Sequence, residues 1–147
     1  MRIARNIFGC QSGASAIELA VVLPVVATLV VGMSDLGLMG NLKYSLTKAA
    51  NRSIELAMTN GPVDNKFEYL KSEAAEAAGV SVDAVSVENW LECEYVRQPD
   101  FGGSCTAPDL PFRYVKVTIA SDYKSLFPGW VLPASNRVAG SATLRIQ

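Results

Sequence analysis

The stretch G-A-S-A-I-E-L-A-V-V-L-P-V-V-A-T-L-V-V-G-M-S-D, residues 13 to 35, holds a single carboxylate before its exit, Glu18, near the start of an otherwise apolar run. Ala14 to Met33 is twenty residues broken chiefly by Glu18, Pro24 and Thr28. At about 1.5 Å per residue such a helix spans a hydrocarbon core of about 30 Å. A carboxylate inside a bilayer costs about 3 kcal/mol on insertion scales and calls for a cationic partner. Cleavage after Gly13 would create that partner, because Ala14 becomes a charged amino terminus one helical turn from Glu18. Glu18 is then the fifth residue of the shortened chain.

Towards the amino terminus, residues 1 to 13 form a short leader carrying Arg2 and Arg5. By the positive-inside rule this end stays cytoplasmic and the carboxy-terminal part lies outside. A secretory signal peptide is a rival reading, with a trace of a small-residue cleavage site near Val31-Gly32. The length of the apolar run favours a retained anchor. Phe8-Gly9-Cys10 faintly resembles a lipoprotein acylation site, but no apolar stretch precedes it. Pro24 removes a backbone donor, so a bent or locally melted helix is expected there, a functionless kink being the plainer alternative.

Past Asp35 the continuous apolar character becomes periodic. Leu38, Leu42, Leu46, Ala49, Ser53 and Ala57 recur at steps of three and four, opposite Lys43, Lys48, Arg52 and Glu55. The same helix is expected to run to about Thr59, where Asn60-Gly61-Pro62 stops it, for a length of about 45 residues or ~65 Å. A free coiled-coil stem is the alternative to packing on a sheet.

Residues 61 to 147 then read as a small head. Asp64 to Ala78 is amphipathic, with Phe67, Leu70, Ala74 and Ala77 on one face, and Gly79 is placed to end it. Three period-two runs follow: Val85, Val87, Leu91, Cys93 and Tyr95, interrupted at Asn89 and Trp90; Val115, Val117, Ile119 and Tyr123; and Val138, Ala142, Leu144 and Ile146. They predict an antiparallel meander with one apolar face, on which the amphipathic half of the long helix packs. The fold class is α+β: a long amino-terminal helix on a small antiparallel sheet, with one extra helix.

Cys10 lies in the leader, whereas Cys93 and Cys105 fall in the exported part, where a disulfide persists. A bridge between them would close a loop of about a dozen residues and contribute about 3 kcal/mol. Zinc would need more ligands than two thiols in a chain without histidine.

These residues resemble those of type IV-like prepilins, and among them the TadE-like minor pseudopilins of the tight-adherence (Tad/Flp) pilus system. The likeness rests on the small residues after Gly13, the pair Glu18-Leu19, the Leu23-Pro24 step, Gly32 and the exit Asp35-Leu36-Gly37. It is tightest over residues 13 to 40. Beyond that the cysteine pair, the run from Arg113 to Ile119 and Leu126-Phe127-Pro128 are similar more loosely. Leu19 departs from the pattern, since many members carry an aromatic residue there.

The resemblance implies a pilin-like fold and a four-part chain: leader 1–13, transmembrane helix 14–34, amphipathic continuation 35–60 and exported head 61–147. It implies a structural subunit of a pilus, processed between Gly13 and Ala14 by a prepilin peptidase and acting in assembly. Glu18 would pair with the amino group of Ala14, its own or a neighbour's, and Pro24 would accompany loosening of the helix as the subunit leaves the membrane. Its partners would be other major and minor pilins, the prepilin peptidase, the inner membrane and the pilus assembly platform. The alternative is a single-pass, membrane-anchored periplasmic adaptor or binding protein that does not polymerise; such an anchor has no physical reason to keep the spacing of Gly13 and Glu18.

Enzymatic chemistry finds little support. There is no histidine, no phosphate-binding glycine loop and no acid–base pair of carboxylates, and no cofactor is implied. Glu88, Glu92 and Glu94 read as a solvated face. Asp100 and Asp109 match no defined calcium loop. Trp90, Phe101, Phe127 and Trp130 read as core or loop anchors, with Phe127 to Trp130 a candidate partner contact. The net charge is −1, or −3 for the side chains once Arg2 and Arg5 are gone. That leaves no basic surface for nucleic acid.

Overall fold

The structure, a computed structural model, describes residues 12–106, 110–129 and 132–146, with only the backbone of residues 12–15. Cys10, Asp109 and Trp130 lie outside the described residues. The first element is helix α1, Ser12–Asn60, 49 residues long. It begins ahead of Gly13, so it is slightly longer than the periodicity predicts. It stops where Gly61 takes φ 68 and its N–H bonds the Ala57 carbonyl at 3.1 Å, a left-handed position that glycine reaches without penalty.

Of the bent or locally melted helix expected at Pro24, the melted form is not what is found, since the helix runs through Pro24 without interruption. One proline removes one helical N–H, and the bonds on either side continue. The Thr28 hydroxyl adds bonds to the carbonyls of Pro24 and Val25, each at 2.8 Å.

The two halves of α1 meet different surroundings. Every residue from 16 to 30 is exposed, including Ile17, Leu19, Leu23 and Val26. An apolar surface open on all sides has no counterpart among soluble core helices and suits lipid. In the second half Leu46, Ala49, Ala50, Ser53, Ile54 and Ala57 are buried. Leu38 is exposed, contrary to the expected stripe, and the buried line begins instead with Gly32 and Asp35.

After a two-residue turn closed by Val63 and Lys66, helix α2 spans Tyr69–Ala78. It is shorter than predicted because Asp64 and Asn65 adopt left-handed φ values of 50 and 60, which short polar side chains tolerate. Phe67, Leu70, Ala74 and Ala75 are buried, whereas Ala77 faces out. Gly79, at φ 65, caps α2 through its N–H to the Ala75 and Glu76 carbonyls, as its position predicts.

Four strands follow: β1 Val85–Cys93, β2 Val96–Gln98, β3 Phe112–Lys124 and β4 Ser135–Ile146. They form one antiparallel sheet in the order β2-β1-β3-β4. The three predicted runs are neighbours in the expected sequence, and β2 is an additional edge strand. One face, with Val115, Val117, Ile119, Val138 and Ala142, carries α1 and α2. Gly140 permits the closest approach: a Cβ there would lie 2.3 Å from the Thr47 backbone nitrogen.

Trp90 breaks the alternation of β1 because it points to the other face. There it stacks on Tyr114 with centroids 5.4 Å apart, under the Arg97 guanidinium, and its indole N–H donates to Glu92 at 2.9 Å. Glu88 is exposed and pairs with Arg97 at 3.3 Å, while Glu94 is exposed at the hairpin tip.

The segment from β2 back to β3 is fixed by Cys93–Cys105, with Cα atoms 5.6 Å apart. Arg113 ties the same segment down, donating to the Phe101 and Gly103 carbonyls at 3.0 Å each. Phe101 packs edge-on against Phe67. Asp100 accepts the Gly102 N–H at 3.0 Å, which gives that carboxylate a local structural use.

Candidate functional site

The residues singled out by sequence fall at two separated places along the molecule. Gly13 and Ala14 are in the first turn of α1, and Glu18 and Pro24 follow on its exposed half. Glu18 is exposed among Ile17, Leu19, Val21 and Val22, all of them exposed. Ala14 and Glu18 are four residues apart on a continuous helix and therefore share one face. Cys93 and Cys105 lie at the end of the sheet where Glu92 pairs with Phe112. The opposite end, at Tyr123 and Lys124, is the one beside α1 at Asp35. The sheet is therefore polar in the sense of direction: the disulfide marks the end far from the apolar half-helix.

The junction between the two halves of α1 is built around Asp35, which is 1% exposed. Its carboxylate accepts hydrogen bonds from the Tyr123 hydroxyl at 2.5 Å, from the Ser125 hydroxyl and from the Leu126 N–H at 3.1 Å. Three donors converging on one acidic side chain satisfy a carboxylate and fix the β3–β4 connection against the helix. Among the described residues no buried side-chain polar atom lacks a partner. Sequence reasoning placed Asp35 only as the exit of the apolar run. Its donors are about ninety positions away in the chain, Tyr123 at the end of the second period-two run and Ser125 and Leu126 just beyond it.

Tyr123 shows the electrostatic consequence. Its hydroxyl is pushed up to about 12 from 10.0, first by donation to Asp35, then by burial and by the nearby negative charge. A raised folded-state value stabilises the head below pH 10 and is lost as pH rises through about 12. Denaturant midpoints of the head should therefore fall steeply between those pH values, and Tyr123→Phe should flatten that part of the profile. An identical alkaline profile in the variant would contradict the assignment.

A family model described as TadE-like protein matches residues 13–58, which run from the expected cleavage position through Glu18, Pro24 and Asp35 to the last turns of α1. The resemblance read from Gly13, Glu18, Pro24 and Gly32 is thus borne out over the helix. No curated protein and no solved structure matches the chain.

Proposed function

We propose, from the TadE-like character of its amino-terminal helix, that this chain is a minor pseudopilin acting in assembly of a Tad/Flp-type pilus. The family associates the chain with Tad pilus components in general, and α1 is long and apolar enough to serve as a single-pass anchor. The observation that carries the finer reading is the division of α1. An apolar half exposed on every side is continuous with a half that supplies the core of the head. Such a helix can exchange lipid for the helices of neighbouring subunits without refolding the head.

In this reading the prepilin peptidase removes residues 1–13 on the cytoplasmic side, and the head, with its disulfide, is exported. The mature subunit then packs with other pilins through its apolar half, where Glu18 meets an Ala14 amino group. Pro24, with its missing N–H, lies in the part that must move from bilayer to filament.

Intact mass of protein purified from its native membrane tests the first step. The expected mature chain begins at Ala14, and Gly13→Leu should retain the leader because a bulky side chain obstructs the cleavage site. A mature form starting at Ala14 from the Gly13→Leu chain would refute the assignment.

A further inference from the structure

The described residues of the β3–β4 connection, 125–129 and 132–134, extend the hairpin beyond the sheet where α1 leaves its apolar stretch. Beyond the sheet, Ser125 N–H bonds the Ala134 carbonyl at 3.4 Å and Gly129 N–H bonds that of Leu132 at 3.0 Å, with Gly129 at φ 83. Asp35 holds this hairpin through the hydroxyls of Tyr123 and Ser125 and the N–H of Leu126. In a helix the Cα–Cβ bonds tilt towards the amino terminus. The Asp35 carboxylate therefore holds the hairpin on the apolar side of its own Cα. From Asp35 the chain of β3 runs on past Ser125 in the direction of the exposed half-helix.

Burial on α1 shows how far the head reaches. Gly32 is buried and Val31 half-buried, although Val30 and Met33 on the same turn are exposed. One face of the last apolar turn is thus covered by the protein and the rest is open. From Ser125 to Asn136 the sequence contains no charged residue. Leu126 is 58% and Phe127 42% exposed, and on α1 Met33 and Leu36, either side of Asp35, are exposed too.

We propose that this hairpin is a second membrane contact, with Leu126 and Phe127 seated at the boundary of headgroups and acyl chains in the leaflet that α1 exits. The inference rests on the reading that residues 14–34 cross the bilayer. A hairpin tied by three hydrogen bonds to the residue following that span has the same lipid surface beside it, and its apolar, uncharged composition suits that depth. Two points of attachment fix the tilt of the head and the face it turns to other subunits.

Fluorescence quenching in the full-length chain tests this, with the protein in vesicles of phosphatidylethanolamine and phosphatidylglycerol and iodide on both sides. In a Trp90→Phe, Trp130→Phe background a single tryptophan is placed by Leu126→Trp, by Tyr95→Trp at the far hairpin, where Tyr95 is 94% exposed, or by Val25→Trp. The tryptophan at position 126 should be quenched severalfold less by iodide than that at 95, and strongly by lipids brominated near the glycerol end. Phe127→Trp should repeat the contrast and guards against a local distortion at 126. Iodide quenching at 126 and 127 equal to that at 95 would overturn the proposal. So would protection from iodide without quenching by brominated lipid, which would mean that protein, a second copy included, covers the hairpin. Absence of quenching at position 25 by lipids brominated near the ends of the acyl chains would instead remove the span reading, and this proposal with it.

Discussion

Gly140→Val should unseat α1 from the sheet and destabilise the head by roughly 3 kcal/mol or more, at the upper end of overpacking because backbone must move. A Cβ on Gly140 would sit 2.3 Å from the Thr47 nitrogen, 2.5 Å from the Leu46 carbonyl carbon and 2.8 Å from the Leu46 Cβ. Side chains can rotate out of the way, but a helix backbone cannot. Leu46 and Ala50, both at most 1% exposed, would lose their packing as the helix shifted. Domains of this size hold about 5–15 kcal/mol in all, so a large share of the stability is at stake. Gly40 supplies the contrast, since a Cβ there meets nothing within 4 Å. Gly40→Ala should gain about 0.5–1 kcal/mol from helix propensity alone. Denaturant unfolding of the detergent-solubilised protein reads both, and a loss of under 1 kcal/mol for Gly140→Val would contradict the close approach.

Glu18→Ala should lower incorporation into pili about a hundredfold and leave the head as stable as before. Removing one partner of a buried ion pair costs about 3 kcal/mol, and each 1.4 kcal/mol is a tenfold change in equilibrium. Glu18 stands seventeen residues before Asp35 in α1, about 26 Å along the helix axis, so the folding of the head does not depend on it. On the proposed assembly role, its carboxylate is buried and paired once a neighbouring subunit replaces lipid. Glu18→Gln keeps the shape and removes the charge, and should fail in the same way. Counting pili and measuring co-purification with partner pilins gives the comparison; wild-type values in both variants would remove Glu18 from assembly.

Much of this architecture was legible because it is written in periods. The continuous apolar run, the change to a three-and-four spacing after Asp35 and the alternation of β3 and β4 each follow from which faces must be buried. The Cys93–Cys105 pair was legible from compartment and spacing. What escaped depended on turn chemistry or on long separation. β2 is three residues long and is reached through Glu94 and Tyr95 at φ 50 and 67, with no Asn-Gly or Asp-Gly to announce the hairpin. The early part of the expected second helix was lost to Asp64 and Asn65 in left-handed conformation. Gly140 carries no side chain for an alternation rule to register. Asp35 is legible only as the exit of the apolar run, and nothing local to it in the sequence announces its burial. Only the fold brings Tyr123, Ser125 and Leu126 to it.

The close seating of β4 on α1 also sets an order of events as the anchored chain folds. The helix is made early and β4 is the most distant strand along the described chain, yet these two elements pack directly on one another. Loop closure between such remote segments is slow compared with local pairing. Until β4 arrives, the stripe of Leu46, Ala49, Ala50 and Ile54 lacks the strand on which α1 packs most extensively and stays partly open beside the bilayer. An anchored chain holds that stripe at the membrane surface, away from soluble neighbours, while α2 and the first strands form. Completion of the head is therefore a late step, and the arrival of its final strand is what converts a tethered, association-prone segment into a subunit with a finished surface.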